Sequence, residues 1–221
     1  TDISYLDIED PDGDIVVRDS FRVPGQLHDK YQMDEYENTF RMVTHFRKGI
    51  GESRLYIVDI SNPNNINALG TLLVDDAGSL MATRFAGKRA YTIHLPRAID
   101  PLDVLDLSDP SNPKLCDVFE MPGWVTHMEV RGMKIIALGV DDSEGQRNIA
   151  VSLFDVSDPY NVVMEERVRL GGDYAYSAAN WEPKALTVDE IHNVVIVPYT
   201  SWSKDYRNDN SGVQIVGFDL A

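Results

Sequence analysis

The chain is short of cysteine, of basic charge and of long apolar runs, and each shortage removes a class of protein. A single cysteine, Cys116, excludes an internal disulfide. It falls in a run of alternating apolar residues and reads as a small buried side chain. With 20 Lys and Arg against 36 Asp and Glu, the formal charge of the 221 residues is −16. Such a field repels phosphate backbones and anionic lipid, so nucleic acid is not an expected partner. Solubility accounts for the acid; cation binding or a basic partner is the sharper reading. No stretch approaches the ~18 consecutive apolar residues of a membrane helix, so no membrane insertion is expected from this segment. The opening Thr1–Asp7 has neither the basic start nor the apolar core of a secretion signal; a mature secreted domain lacks one too, which leaves the compartment open. Also missing are a G-x-S-x-G elbow, a P-loop and any helix-period stretch of useful length.

What is present is a corner that recurs. An acidic residue ends an apolar strand and a polar-Pro turn follows, as L-D-I-E-D-P at Leu6–Pro11, V-D-I-S-N-P at Val58–Pro63, L-D-L-S-D-P at Leu105–Pro110 and F-D-V-S-D-P at Phe154–Pro159. A fifth copy starts at Phe218, Asp219, Leu220. The corner aspartates Asp7, Asp59, Asp106, Asp155 and Asp219 are 52, 47, 49 and 64 residues apart. Asp, Asn and Ser side chains accept N–H bonds two residues on, and Pro then presets φ and cannot continue a ladder. The aspartates therefore read as turn caps rather than metal ligands, since a ligand set does not recur in every unit.

Self-similarity at this period, with strands inside each unit, is the mark of β-propeller blades. Four strand-like runs follow one another in each unit: Ile66–Val74, Leu80–Phe85, Ala90–Leu95 and Leu102–Leu107; then Leu115–Met121, Val125–Val130, Ile135–Val140 and Ala150–Val156. The next unit gives Val162–Leu170, Ala185–Val188, Val194–Pro198 and Val213–Leu220, and a degenerate first one gives Ile15–Val23, Tyr31–Asp34, Phe40–His45 and Arg54–Ile60. Hairpin turns are predicted at Gly87, Gly132 and near Asn193. The expectation is an all-β fold over residues 1–221, with about four blade repeats of four-stranded antiparallel sheets. Lettered a to d from the axis outward, the runs begin with c (Ile3–Ile8) and end with c. That redundancy argues for a segment of a larger ring, not a closed four-bladed one. Its end faces would then be covered by remaining blades of a parent chain or by a second copy.

The stretch Ile99–Lys114, then M-P-G-W-V-T-H at Met121–His127 and V-S-L-F-D-V-S-D-P at Val151–Pro159, resembles the secreted prokaryotic β-propeller domain family distantly related to WD40 repeats. Gln26–Thr44, Tyr176–Leu186 and Val194–Tyr199 follow the same pattern in order. The resemblance implies an extracytoplasmic, secreted or cell-surface propeller. It brings no reaction and no catalytic motif to carry over. The chain departs from the pattern before Asp100-Pro101-Leu102 and at Trp181-Glu182-Pro183-Lys184, where the family tends to show an acid-His-Lys run.

Candidate sites are sparse. Asp10, Asp12 and Asp14 invite a calcium reading, but Gly13 comes too early for an EF-hand loop and no Glu follows at the right distance. No cofactor is expected, with calcium as the alternative. The histidines His28, His45, His94, His127 and His192 come from different blades and share no zinc spacing. The long connection Thr200–Gly212 carries Trp202, Tyr206 and Arg207, and a second aromatic cluster carries Tyr174, Tyr176 and Trp181. Aromatics beside Arg on loops of a rigid scaffold suit recognition. The expected function is a noncatalytic extracytoplasmic scaffold that binds a protein or glycan through its loops. The alternative is a propeller hydrolase or lyase with a divalent metal near the ring axis.

Overall fold

Each unit is punctuated by side chains that take over where the strand ladder stops. The Oδ1 atoms of Asp7, Asp59, Asp106 and Asp155 accept the backbone N–H two residues on, from Glu9 (3.0 Å), Ser61 (2.8 Å), Ser108 (2.9 Å) and Ser157 (2.7 Å). Three residues later Asp10, Asn62, Asp109 and Asp158 repeat the bond to Asp12, Asn64, Ser111 and Tyr160. These four corners are thus double Asx-turns, and each launches the next strand at a fixed angle. Asp10, read from sequence as a calcium candidate, is the second cap of the first corner.

The computed structural model describes residues 1–46, 51–76, 78–95, 100–143, 145–172, 174–203 and 209–219. Strands β1 (Asp2–Asp7) and β2 (Val16–Arg22) pair as a two-stranded sheet. Three four-stranded antiparallel meanders follow. The first holds β3 (Met33–Tyr36), β4 (Thr39–Phe46), β5 (Glu52–Asp59) and β6 (Asn67–Asp75). The second holds β7 (Ser79–Ala86), β8 (Arg89–Leu95), β9 (Asp100–Asp106) and β10 (Lys114–Met121). The third holds β11 (Trp124–Arg131), β12 (Lys134–Asp141), β13 (Asn148–Asp155) and β14 (Val163–Leu170). In the last sheet β15 (Tyr174–Tyr176) and β16 (Thr187–Asp189) share one side of β17 (Val194–Trp202), and β18 (Asp209–Gly217) takes the other. The hairpins turn at Gly87 (φ 53°), Gly132 (φ 58°) and Asn193 (φ 53°), as the sequence predicts.

The core lies between sheets. Tyr91, Ile93, Leu102, Val104 and Met121 meet Val125, Met128, Ile135 and Phe154 across one boundary. Val43, Leu55 and Ile57 meet Ala90, Leu105 and Leu107 across the one before it, and Ile136, Leu138, Ile149 and Val151 meet Leu186, Val195 and Val197 across the one after. Arginines staple the same boundaries: Arg41 donates to the carbonyl of Gly87, and Arg89 to those of Val156 and Ser157. Among the described residues β2 pairs only with β1, and β18 only with β17. The sheets form an open arc, and Val16–Arg22 does not complete the last blade.

Three details differ from the sequence reading. The inner strand of the last sheet is not one run from Ala185 but two pieces, because Ser177 caps the 3-10 turn Ala178–Asn180 and bonds Pro198 O (2.6 Å), and Glu182 and Pro183 open another at Pro183–Ala185. Likewise β3 starts two residues after Tyr31, behind a 3-10 turn closed by a capping box between Asp29 and Gln32. Asp209–Gly212, expected in a loop, is drawn into β18. The register also sets Gly217 opposite Val194, where Asp59, Asp106 and Asp155 face Thr39, Arg89 and Lys134. Asp219 therefore sits two residues beyond the corner position.

Candidate functional site

The inner strands carry a polar row that runs from sheet to sheet. Arg84 on β7 and Glu129 on β11 occupy the same rung, two residues before the ends of their strands. The Arg84 guanidinium lies 3.5 Å from the Tyr31 ring centroid and 2.9 Å, through Nη2, from Nδ1 of His127. His127 Nε2 is 2.7 Å from Glu129 Oε1, and Glu129 Oε2 takes a 3.1 Å bond from Arg131. Arg131 is also ion-paired with Glu190, which brings in the last sheet. Guanidinium only donates, so Nδ1 of His127 accepts and Nε2–H donates to Glu129. The bond from His127, helped by the nearby cations, holds the Glu129 carboxyl below its ordinary range; burial lowers Arg84. Both imidazole nitrogens are spent, which leaves His127 no lone pair with which to take a proton from a ligand.

A second polar group lies between the sheets of β3–β6 and β7–β10. Asp103 Oδ2 accepts from His94 Nδ1 (2.7 Å) and Thr92 Oγ1 (2.9 Å), and His45 Nδ1 lies 3.1 Å from Ser53 Oγ. His94 is fully buried, and its Nε2 has no hydrogen-bond partner. A cleft of about 170 Å³ lined by His28, Gln32, His45 and Thr83 opens nearby. The His94–Asp103 pair has the form of an orienting dyad, but no hydroxyl or thiol among the described residues hydrogen-bonds the free nitrogen.

Two of the aromatic residues singled out from the sequence meet. Tyr174 faces Trp202 across β15 and β17, and their rings stack at 6.3 Å with 16° between planes. Trp202 lines a groove of about 670 Å³ together with Arg169, Tyr199, Asn210 and Gln214. Trp124 and Arg147 form a cation–π pair at 5.5 Å, and Arg147 O accepts the N–H of Ala175, next to Tyr174. Tyr176 and Trp181 are exposed at 45% and 69% but are not part of the stack. Tyr206 and Arg207 lie outside the described residues. Asp10, Asp12 and Asp14 are all exposed, and among the described residues no three His, Cys, Asp or Glu side chains converge on one point.

The inner row escaped sequence reasoning because its members come from successive sheets and share no local spacing. Stacking the units by their hairpins does reveal part of it: Arg84 and Glu129 each fall two residues before the end of their strand.

The fold has known relatives. The chain is 28% identical over 207 residues to an uncharacterised protein of Methanocaldococcus jannaschii, a match covering 90% of this chain and 32% of that protein. An uncharacterised protein of Archaeoglobus fulgidus is 30% identical over 178 residues, which is 80% of this chain and 27% of that one. The chain thus spans about a third or less of these relatives' length. A crystal structure of a Lactobacillus plantarum protein superposes with a TM-score of 0.50 over 96% of this chain and 64% of its own, at 10% identity, a likeness of fold alone. The family model described as a beta propeller domain matches residues 1–221, and the chain belongs to that family.

Proposed function

We propose that the chain is a noncatalytic scaffold that binds a protein or glycan partner at the rim of its last sheet. The carrying observation is the stacked Tyr174–Trp202 pair beside an open groove. Stacked aromatics present a wide, rigid apolar face at little entropic cost, and Arg169, Asn210 and Gln214 supply polar contacts around it. The spent nitrogens of His127 fit a binding role better than a proton-transfer role. Extracytoplasmic placement is part of the same reading and rests on the family resemblance.

Tryptophan fluorescence titrated with a panel of oligosaccharides tests the glycan arm, and surface-immobilised peptides test the protein arm. Trp202→Ala should weaken whichever ligand binds by at least about tenfold, as removal of an aromatic hot spot does. Unchanged affinity would end this reading. The alternative, a hydrolase or lyase with a divalent metal near the axis, is decided by elemental analysis of the purified chain. One tightly held divalent ion per chain would put it first.

A further inference from the structure

Each outer strand carries a β-bulge opposite the residues that precede its corner, and the residue beside that bulge faces the next blade. Those residues are Asp19 on β2, Gly70 on β6, Asp117 on β10 and Glu166 on β14, paired with Tyr5, Ile57, Val104 and Leu153. Asp19 Oδ2 accepts the N–H of Ile66 at 2.8 Å, and Asp117 Oδ2 accepts that of Val162 at 2.8 Å. Both donors open the outer strand of the following blade, seven residues past its corner aspartate. At the boundary between them the equivalent donor position is Pro113, which has no N–H. There the acceptor is replaced by Gly70, and the corner packs so closely that a Cβ would come within 2.3 Å of Pro110 O and 2.9 Å of Pro113 Cδ. The rule is consistent: a carboxylate where the incoming strand has an N–H, nothing where it has proline.

Glu166 is the fourth member, and among the described residues its side chain makes no hydrogen bond or ion pair. It lines a groove of about 830 Å³ with Val151, Leu153, Val168, Val216 and Phe218. At the preceding boundary that position is plugged by the buried Val162. The outer edge of β18 beside it is unpaired among the described residues, with Val213 and Ile215 about 60% exposed.

We propose that this groove receives a corner and an outer strand supplied by polypeptide continuing beyond Asp219. The strand adds antiparallel to β18, and its first residue, which is not proline, donates its backbone N–H to Glu166. Two boundaries are already built this way, and the chain matches only 32% and 27% of the length of the two archaeal relatives. Strand addition to an open edge draws affinity from main-chain bonds and register from specific side chains.

The test uses a labelled synthetic peptide of this chain's own corner and outer strand, Asp155–Leu170, titrated against the 221-residue protein. Saturable binding is expected, with amide-exchange protection appearing in 209–217. Glu166→Ala should weaken binding by about tenfold, a loss of one charge-assisted bond, while Glu166→Gln keeps an acceptor and most of the affinity. A peptide bearing Val162→Pro should bind as weakly to the unaltered protein as the unaltered peptide binds to Glu166→Ala. Absence of binding, or binding indifferent to both changes, would overturn the proposal. So would a dimer of the chain through β18 that persists at saturating peptide, because a second copy would then be the occupant.

Discussion

A carboxylate that caps its own turn is doing a local job, and its removal has a local signature. Asp106 accepts from both the backbone and the hydroxyl of Ser108, which together hold its carboxyl below the ordinary range. Asp106→Ala should destabilise the chain by about 0.5–1.5 kcal/mol in urea unfolding, the net worth of an intramolecular hydrogen bond whose donor water can reach. Asp141, at the end of β12, shows a stronger case. Burial by itself would raise its carboxyl, but bonds from the side chain and backbone of Ser143 and from Arg169 carry it from 3.8 down to about 2. A depressed folded-state value stabilises above the unfolded one and is lost as pH falls. The Tm gap between the wild type and Asp141→Asn should stay constant above about pH 5 and close as the pH drops from 3.8 towards 2. At this scale the corners were legible from sequence because an Asx-turn is decided within three residues. The His127 and His94 pairs were not, since each depends on which strand a fold brings alongside.

Among elements, the bulge and the corner that docks on it are the unit of assembly. Gly70 is the tightest of these contacts, and a methyl there has backbone oxygen and a proline ring in its way. Gly70→Ala should cost about 1–3 kcal/mol, the range for overpacking, and should lower the unfolding midpoint without changing the denaturant slope. The strand pattern was readable because period-2 alternation with β-branched residues marks half-buried pleats. The interruptions at Ala178–Asn180 and Pro183–Ala185 were not, because short 3-10 turns leave no period of their own and only their caps, Ser177 and Glu182, announce them. The two-residue displacement of Asp219 follows from the longer hairpin at 190–193, a length difference that the repeated Phe-Asp motif conceals.

For the whole molecule, each of the three apolar clusters joins two neighbouring sheets, so stability is distributed much as in a one-dimensional array. The sheets of β7–β10 and β11–β14 each contribute to two apolar clusters, whereas β3–β6 and β15–β18 contribute to one and β1–β2 to none. Native-state hydrogen exchange should therefore be slowest in β8, β9, β12 and β13 and fastest in β1, β2 and β18. Equal protection across the arc would show that the end faces are buried in solution. The carboxylate bonds across the boundaries also have a direction, opposite to that of the Arg41 and Arg89 staples. At both carboxylate boundaries the acceptor belongs to the earlier blade and the donor to the later, 47 residues on for Asp19–Ile66 and 45 for Asp117–Val162. During ribosomal synthesis the acceptor of each pair has thus left the exit tunnel before its donor is made. At these two boundaries the later blade meets an acceptor already made, an order that suits folding as the chain is translated.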